Sequence, residues 1–128
     1  MNDTLILLTF DNDSQISELN HVELDSGKLI LSSGQTEGTM TSNEFTADEN
    51  FNDYEIRGIT NDDCRLIEVY VSNDGGEHYK QTGLSSFNNK NTITDTIGKR
   101  GRIKVTLKSD ADNPTPELDS IELLVKRI

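Results

Sequence analysis

The sequence predicts an all-β protein folded as an antiparallel sandwich or jelly roll. Three features carry that prediction. Short stretches alternate strictly between apolar and polar residues, clusters of Asn, Asp, Gly and Ser separate them, and β-branched side chains abound while only Ala47 and Ala111 are alanines. A chain of 128 residues suits one compact domain. Residues 1–128 are therefore read as a single sandwich, with residues 1–20 a segment whose structure the alternation leaves open.

Taken in order, Leu5-Ile6-Leu7-Leu8 is continuously apolar and is read as a strand, either buried on both faces or docked elsewhere. Asp11-Asn12-Asp13-Ser14 is a capping signal for a short helical turn through Gln15–Leu19. Asp25-Ser26-Gly27 ahead of Leu29 and Leu31 marks a hairpin over 19–32. Met40, Phe45, Tyr54 and Ile56 mark strands over 37–45 and 51–60. Ile67, Val69 and Val71 alternate with Glu68, Tyr70 and Ser72, and Asp74-Gly75-Gly76 follows as a tight turn. Asn88-Asn89-Lys90-Asn91 reads as an exposed loop. Ile103, Val105 and Leu107 alternate with Arg102, Lys104, Thr106 and Lys108, the cleanest strand in the chain. Asp110 to Pro116 holds two prolines and is read as a loop. Ile121, Leu123 and Val125 close the pattern. These three alternating triads should point inward, because a slip of one residue would expose every member.

Charge and composition exclude several classes of function. The net charge is −11 from 12 basic and 23 acidic residues. Residues 1–56 hold twelve acids and one base (1 − 12 = −11), while 57–128 hold eleven of each and sum to zero. Such a balance argues against a nucleic-acid grip, which needs clustered cations to displace counterions. No apolar run approaches the ~18–20 residues of a membrane-spanning helix. Cys64 is the only cysteine, so the fold must hold without an internal disulfide.

Candidate chemistry is sparse. His21, His78 and Cys64 match no zinc-ligand spacing, and Ser72 and His78 lie across a Gly-Gly turn without a third group to orient them. The oxygen-rich Asp11-x-Asp13, Asp62-Asp63 and Asp110-x-Asp112 leave structural calcium as a minor reading, since Pro114 breaks the ligand pattern of the last loop. No cofactor, metal or catalytic residue is assigned. The protein is read as a non-enzyme.

Ser72-Asn73-Asp74-Gly75-Gly76-Glu77-His78-Tyr79 resembles an Asp-box, Ser-x-Asp-x-Gly-x-Thr-Trp, with His78 for Thr and Tyr79 for Trp. The resemblance implies a structural turn. Asp74 would tie down the hairpin with Ser72, Gly76 would supply a special backbone angle, and Tyr79 would pack beneath. One box cannot build a propeller, which needs at least four blades.

Over residues 34–125 the chain resembles a galactose-binding-like, jelly-roll β-sandwich module of phage tail and baseplate proteins and bacterial surface proteins. The resemblance is carried by Gly38-Thr39-Met40-Thr41-Ser42-Asn43-Glu44-Phe45, by Val69 to Gly76, by Gly101-Arg102-Ile103-Lys104-Val105-Thr106-Leu107 and by Pro116-Glu117-Leu118-Asp119-Ser120-Ile121. Tyr54 and Ile56 stand where the family carries tryptophan strands. The resemblance implies a structural or accessory module of a phage or prophage particle, docking to other virion proteins or to a second copy. Met1-Asn2-Asp3 has no basic stretch ahead of the leucines, so such a protein would be made in the host cytoplasm and incorporated in the virion. The alternative is a carbohydrate-binding module for host cell-surface glycans, with Tyr70 and Phe87 the exposed aromatics. The docking face expected from the alternation is Arg102, Lys104 and Lys108 on one side of a single strand, set against an acidic partner.

Overall fold

The computed structural model describes residues 4–11, 13–60, 67–82, 89–94, 96, 98–109 and 117–127. They form β1 (Thr4–Thr9), β2 (Ile16–Asn20), β3 (Val22–Asp25), β4 (Lys28–Leu31), β5 (Glu37–Ser42), β6 (Phe45–Thr60), β7 (Ile67–Ser72), β8 (Lys80–Thr82), β9 (Asn89–Thr92), β10 (Gly98–Lys108) and β11 (Glu117–Arg127). The fold is all-β, and the strands pair antiparallel in two layers. One layer runs β2-β5-β10-β7-β8. The other runs β9-β6-β11, with β1 and β4 end to end along the far edge of β11 and β3 outside β4.

The nine expected core residues all point inward. Ile67, Val69, Val71, Ile103, Val105 and Leu107 form one wall, and Ile121, Leu123 and Val125 the opposite one, each of them buried. Leu8, Phe10, Leu29, Met40, Phe51, Tyr54 and Ile56 fill the space between. A sparse apolar composition is sufficient because nearly every inward position is spent on one contiguous cluster. Burial pushes the Tyr54 phenol up to about 12, so this core hydroxyl stays neutral across the physiological range.

Strand β10 belongs to both layers. Residues 102–108 lie between β5 and β7, whereas Gly98, Arg100 and Gly101 pair with the start of β6, across a register irregularity. The crossing is too tight for side chains. A Cβ on Gly98 would collide with the Asn73 carbonyl oxygen, and one on Gly101 would collide with the Phe45 ring. Phe45 in turn stacks on Phe51, with centroids 6.4 Å apart.

Four local expectations change. Residues 16–20 are strand β2, not a helical turn: Ile16 to Asn20 pair with β5, whose edge supplies backbone partners that a single turn of helix lacks. The hairpin is β3–β4 alone, turning at Ser26 (φ 55°) and Gly27 (φ 82°), while His21 at φ 63° separates it from β2. The strand expected over 51–60 begins at Phe45 and runs to Thr60, held successively by β10, β9 and β11. Asn89 to Asn91 belong to β9 rather than a loop, because the edge of β6 takes their backbone groups. The expected 110–116 loop lies outside the described residues.

The N-terminal strand is buried on one face only. Ile6 and Leu8 face the core opposite Leu123 and Ile121, while Leu5 and Leu7 face outward at 64 % and 50 % exposure. Its outer edge is capped by a side chain. Gln15 Nε2 donates to the Leu7 carbonyl (2.8 Å), and Gln15 Oε1 accepts from the Thr9 amide (3.1 Å). This side-chain amide stands where the peptide of a neighbouring strand would otherwise pair.

Two substitutions test this frame. Val105→Asp should cost several kcal/mol, since it buries an unpaired charge in the middle of β10. Gly98→Ala should cost about 2 kcal/mol through its clash with backbone, a contact that cannot move away as a flexible side chain would. Urea denaturation followed by circular dichroism measures both, and parent-like midpoints would contradict the packing described.

Candidate functional site

The hairpin after β7 is built from its own sequence. Ser72 Oγ donates to Asp74 Oδ1 (2.6 Å) and accepts from the amides of Asp74 (3.2 Å) and Gly76 (2.9 Å). Asp74 Oδ1 also accepts from the His78 amide (3.0 Å), and Asp74 Oδ2 accepts from His78 Nδ1 (2.6 Å). Gly75 and Gly76 take φ of 78° and 99°, the left-handed region open to glycine at little cost. Tyr79 folds back over Gly76, its hydroxyl 3.0 Å from where a Gly76 Cβ would lie. The Gly75 amide donates to the Arg100 carbonyl (2.8 Å), which ties the turn to β10.

Asn73 has a role that local pattern alone does not reveal. Fully buried, it donates through Nδ2 to the Phe51 (2.7 Å) and Thr96 (3.2 Å) carbonyls and accepts the Thr96 hydroxyl at Oδ1. The hairpin is thus fastened from below as well as from within. A buried amide with its donors and acceptor used is a strong local constraint.

This hairpin delivers Tyr79 to the outer face of the five-stranded layer. Strand β7 places Tyr70 directly opposite Lys104 of β10 and beside Gln81 of β8. Lys104 Nζ lies 6.0 Å from the Tyr70 ring centroid and 5.9 Å from that of Tyr79, so one ammonium is shared between two π faces. Thr41 of β5 stands opposite Lys104 on the other side. Next to Tyr79 opens a groove of about 290 Å³, lined by His78, Lys80, Gln81, Ile93, Thr94 and Thr96.

The other two cations of the expected docking face are occupied within the chain. Lys108 Nζ bonds Glu68 Oε2 (2.9 Å), and Glu68 Oε1 accepts the Tyr70 hydroxyl (2.9 Å). Arg102 donates to Ser17 Oγ and the Ser42 carbonyl, both at 3.2 Å. The structure therefore sets Arg102, Lys104 and Lys108 on one strand face but leaves only Lys104 of the three without a hydrogen-bond partner among the described residues. Tyr70 is half-buried with its hydroxyl engaged, and its ring is the part offered to the face. Phe87, Cys64, Asp62, Asp63, Asp110 and Asp112 lie outside the described residues. Among those described, no three His, Cys, Asp or Glu side chains gather as a metal site would require.

No family profile matches the chain, and no curated protein matches it by sequence. Solved structures do match by shape. A low-affinity xylan-binding module of family CBM86 from the gut symbiont Roseburia intestinalis superposes with TM-score 0.58 at 19 % identity, covering 96 % of both chains. The C-terminal CBM6 domain of a marine laminarinase from Zobellia galactanivorans superposes with TM-score 0.53 at 7 % identity, covering 94 % of this chain and 99 % of that one. A family two carbohydrate esterase from Cellvibrio japonicus matches over 98 % of this chain but only 35 % of its own, with TM-score 0.52 at 9 % identity. The fold is thus the β-sandwich shared by carbohydrate-binding modules. The expected phage tail or baseplate membership finds no support in these neighbours.

The hairpin gives a pH prediction. Partial burial by itself pushes the Asp74 carboxyl up, but hydrogen bonds from Ser72 and from the His78 amide and ring, with the His78 charge, outweigh it and hold the pKa at about 2. A carboxyl depressed in the folded state stabilises above its unfolded pKa of ~3.9, and that contribution fades as pH falls toward 2. Asp74→Ala should therefore lose about 2 kcal/mol at pH 7, and the gap to the parent should shrink progressively as pH falls through ~4, to about half by pH 3. Urea midpoints measured from pH 7 to pH 2.5 check this, and a constant gap would refute the role given to Asp74.

Proposed function

We propose that the protein is a non-catalytic carbohydrate-binding module that holds a polysaccharide across the outer face of the five-stranded layer. The observation that carries this reading is the Tyr70–Lys104–Tyr79 cluster on an otherwise polar strand face. A pyranose ring presents C–H groups that pack against an aromatic face, while its hydroxyls need donors and acceptors at the rim. Tyr70 and Tyr79 supply the first requirement, and Gln81, Thr41 and Lys104 supply the second. Both rings are fixed in place beforehand. Tyr70 is held by Glu68 and Tyr79 by the Asp74 hairpin, so little ordering cost falls on binding.

The fold neighbours support this reading, since two of them are themselves carbohydrate-binding modules. Protein docking through the basic strand is the weaker reading, because Lys108 is paired with Glu68 and Arg102 is tied through Nη1 to Ser17 and Ser42 within the chain.

Affinity electrophoresis with xylan or laminarin in the gel tests the proposal. At least one polysaccharide should retard the protein. Tyr70→Ala and Tyr79→Ala should each weaken retardation about tenfold, close to 1.4 kcal/mol. Tyr70→Ala is the cleaner variant, since Tyr79 also packs on its own turn. Parent-like retardation of the double variant would place any binding elsewhere.

A further inference from the structure

We infer that the polysaccharide held on this face bears carboxylates, a uronic-acid-substituted chain whose acid group takes Lys104. The inference rests on the glycan reading of the face and names the class of sugar selected there. Four of the other cations are neutralised within the chain. Lys28 pairs with Glu117, Arg57 with Glu122, Arg100 with Glu44 and Lys108 with Glu68, at 2.6–3.2 Å. Lys104, like Arg102, Lys80 and Lys99, has no carboxylate within ion-pair distance among the described residues, and of these four it is the one set over two tyrosine rings. Acids are not scarce, at 23 to 12 bases.

The strand register explains why the nearby acids do not reach it. Glu68, next along β7 on the same face, spends one oxygen on Lys108 and the other on Tyr70. Glu37 stands opposite Lys108 rather than Lys104. Glu18 stands opposite Thr41, two strands from Lys104 and so about 10 Å away across the sheet. The two tyrosine rings hold the ammonium by their quadrupoles without neutralising it.

A full positive charge framed by two stacking surfaces suits a sugar that carries both a ring and an acid. A neutral sugar can stack on the rings and take a hydrogen bond from the ammonium, but it leaves the charge uncompensated. A uronic acid adds a charge-assisted hydrogen bond to the same stack. On a protein of charge −11 such a site also works against the overall repulsion of an anionic chain, so preference should depend on local geometry and on salt.

The test compares glucuronoxylan with the same polymer after its carboxyl groups are reduced to primary alcohols. Affinity electrophoresis is run at low and at high NaCl, on the parent and on Lys104→Gln, with melting curves confirming that the variant is folded. The parent should be retarded about tenfold more strongly by the acidic polymer at low salt, with the gap narrowing at high salt. Lys104→Gln should bind both polymers alike, with no preference left for the acidic one. Equal retardation of the parent by both polymers overturns the acidic preference while leaving the glycan face standing. A preference fully retained by Lys104→Gln overturns the assignment to Lys104. Retardation by neither of these polymers, nor by neutral xylan or laminarin, removes the glycan face itself.

Discussion

The fold depends on one strand being shared by two sheets. For residues 98–101 of β10 to pair with β6 while residues 102–108 pair with β5 and β7, backbone must pass against backbone at the corner. Gly98 lies against the Asn73 carbonyl and Gly101 against the Phe45 ring, at distances that admit no side chain. This passage fixes the position of Asp74 and Gly75 beside Arg100, and with it the hairpin that carries Tyr79. The aromatic cluster on the outer face and the closure of the core are consequences of the same crossing.

Much of the scaffold was legible because alternation of period two is a local signal with a single structural meaning. The triads in β7, β10 and β11 declared their inner faces, and Asp25-Ser26-Gly27 declared a hairpin whose central residues both take positive φ. Legibility failed where an edge strand draws its identity from a partner. Ile16 to Asn20 and Asn89 to Asn91 carry little apolar pattern, and they are strands because β5 and β6 offer them backbone groups. The length of β6 was hidden likewise, since Asp48-Glu49-Asn50 interrupts its alternation while its pairing passes from β10 to β11.

The site divides along the same line. The Ser72–Tyr79 turn is local, so residue types alone announced it. Tyr70, Lys104 and Tyr79 form a cluster only through the register that sets Tyr70 opposite Lys104, and no local pattern states which strands adjoin. The alternation did place Arg102, Lys104 and Lys108 on one face, yet their chemistry diverges there. Each cation's character depends on what stands beside it on β5, β7 and β2, which is a matter of topology.

The Gln15 amide on the edge of β1 reaches beyond this fold. Leu5 and Leu7 line the outer surface of that strand, next to Leu124 on β11, which is the kind of exposed rim that recruits further chains. By occupying the Leu7 carbonyl and the Thr9 amide, Gln15 removes two of the backbone groups that an incoming strand would need. Edge-to-edge association through β1 is thereby opposed by one uncharged side chain, beside the separation that the net charge provides.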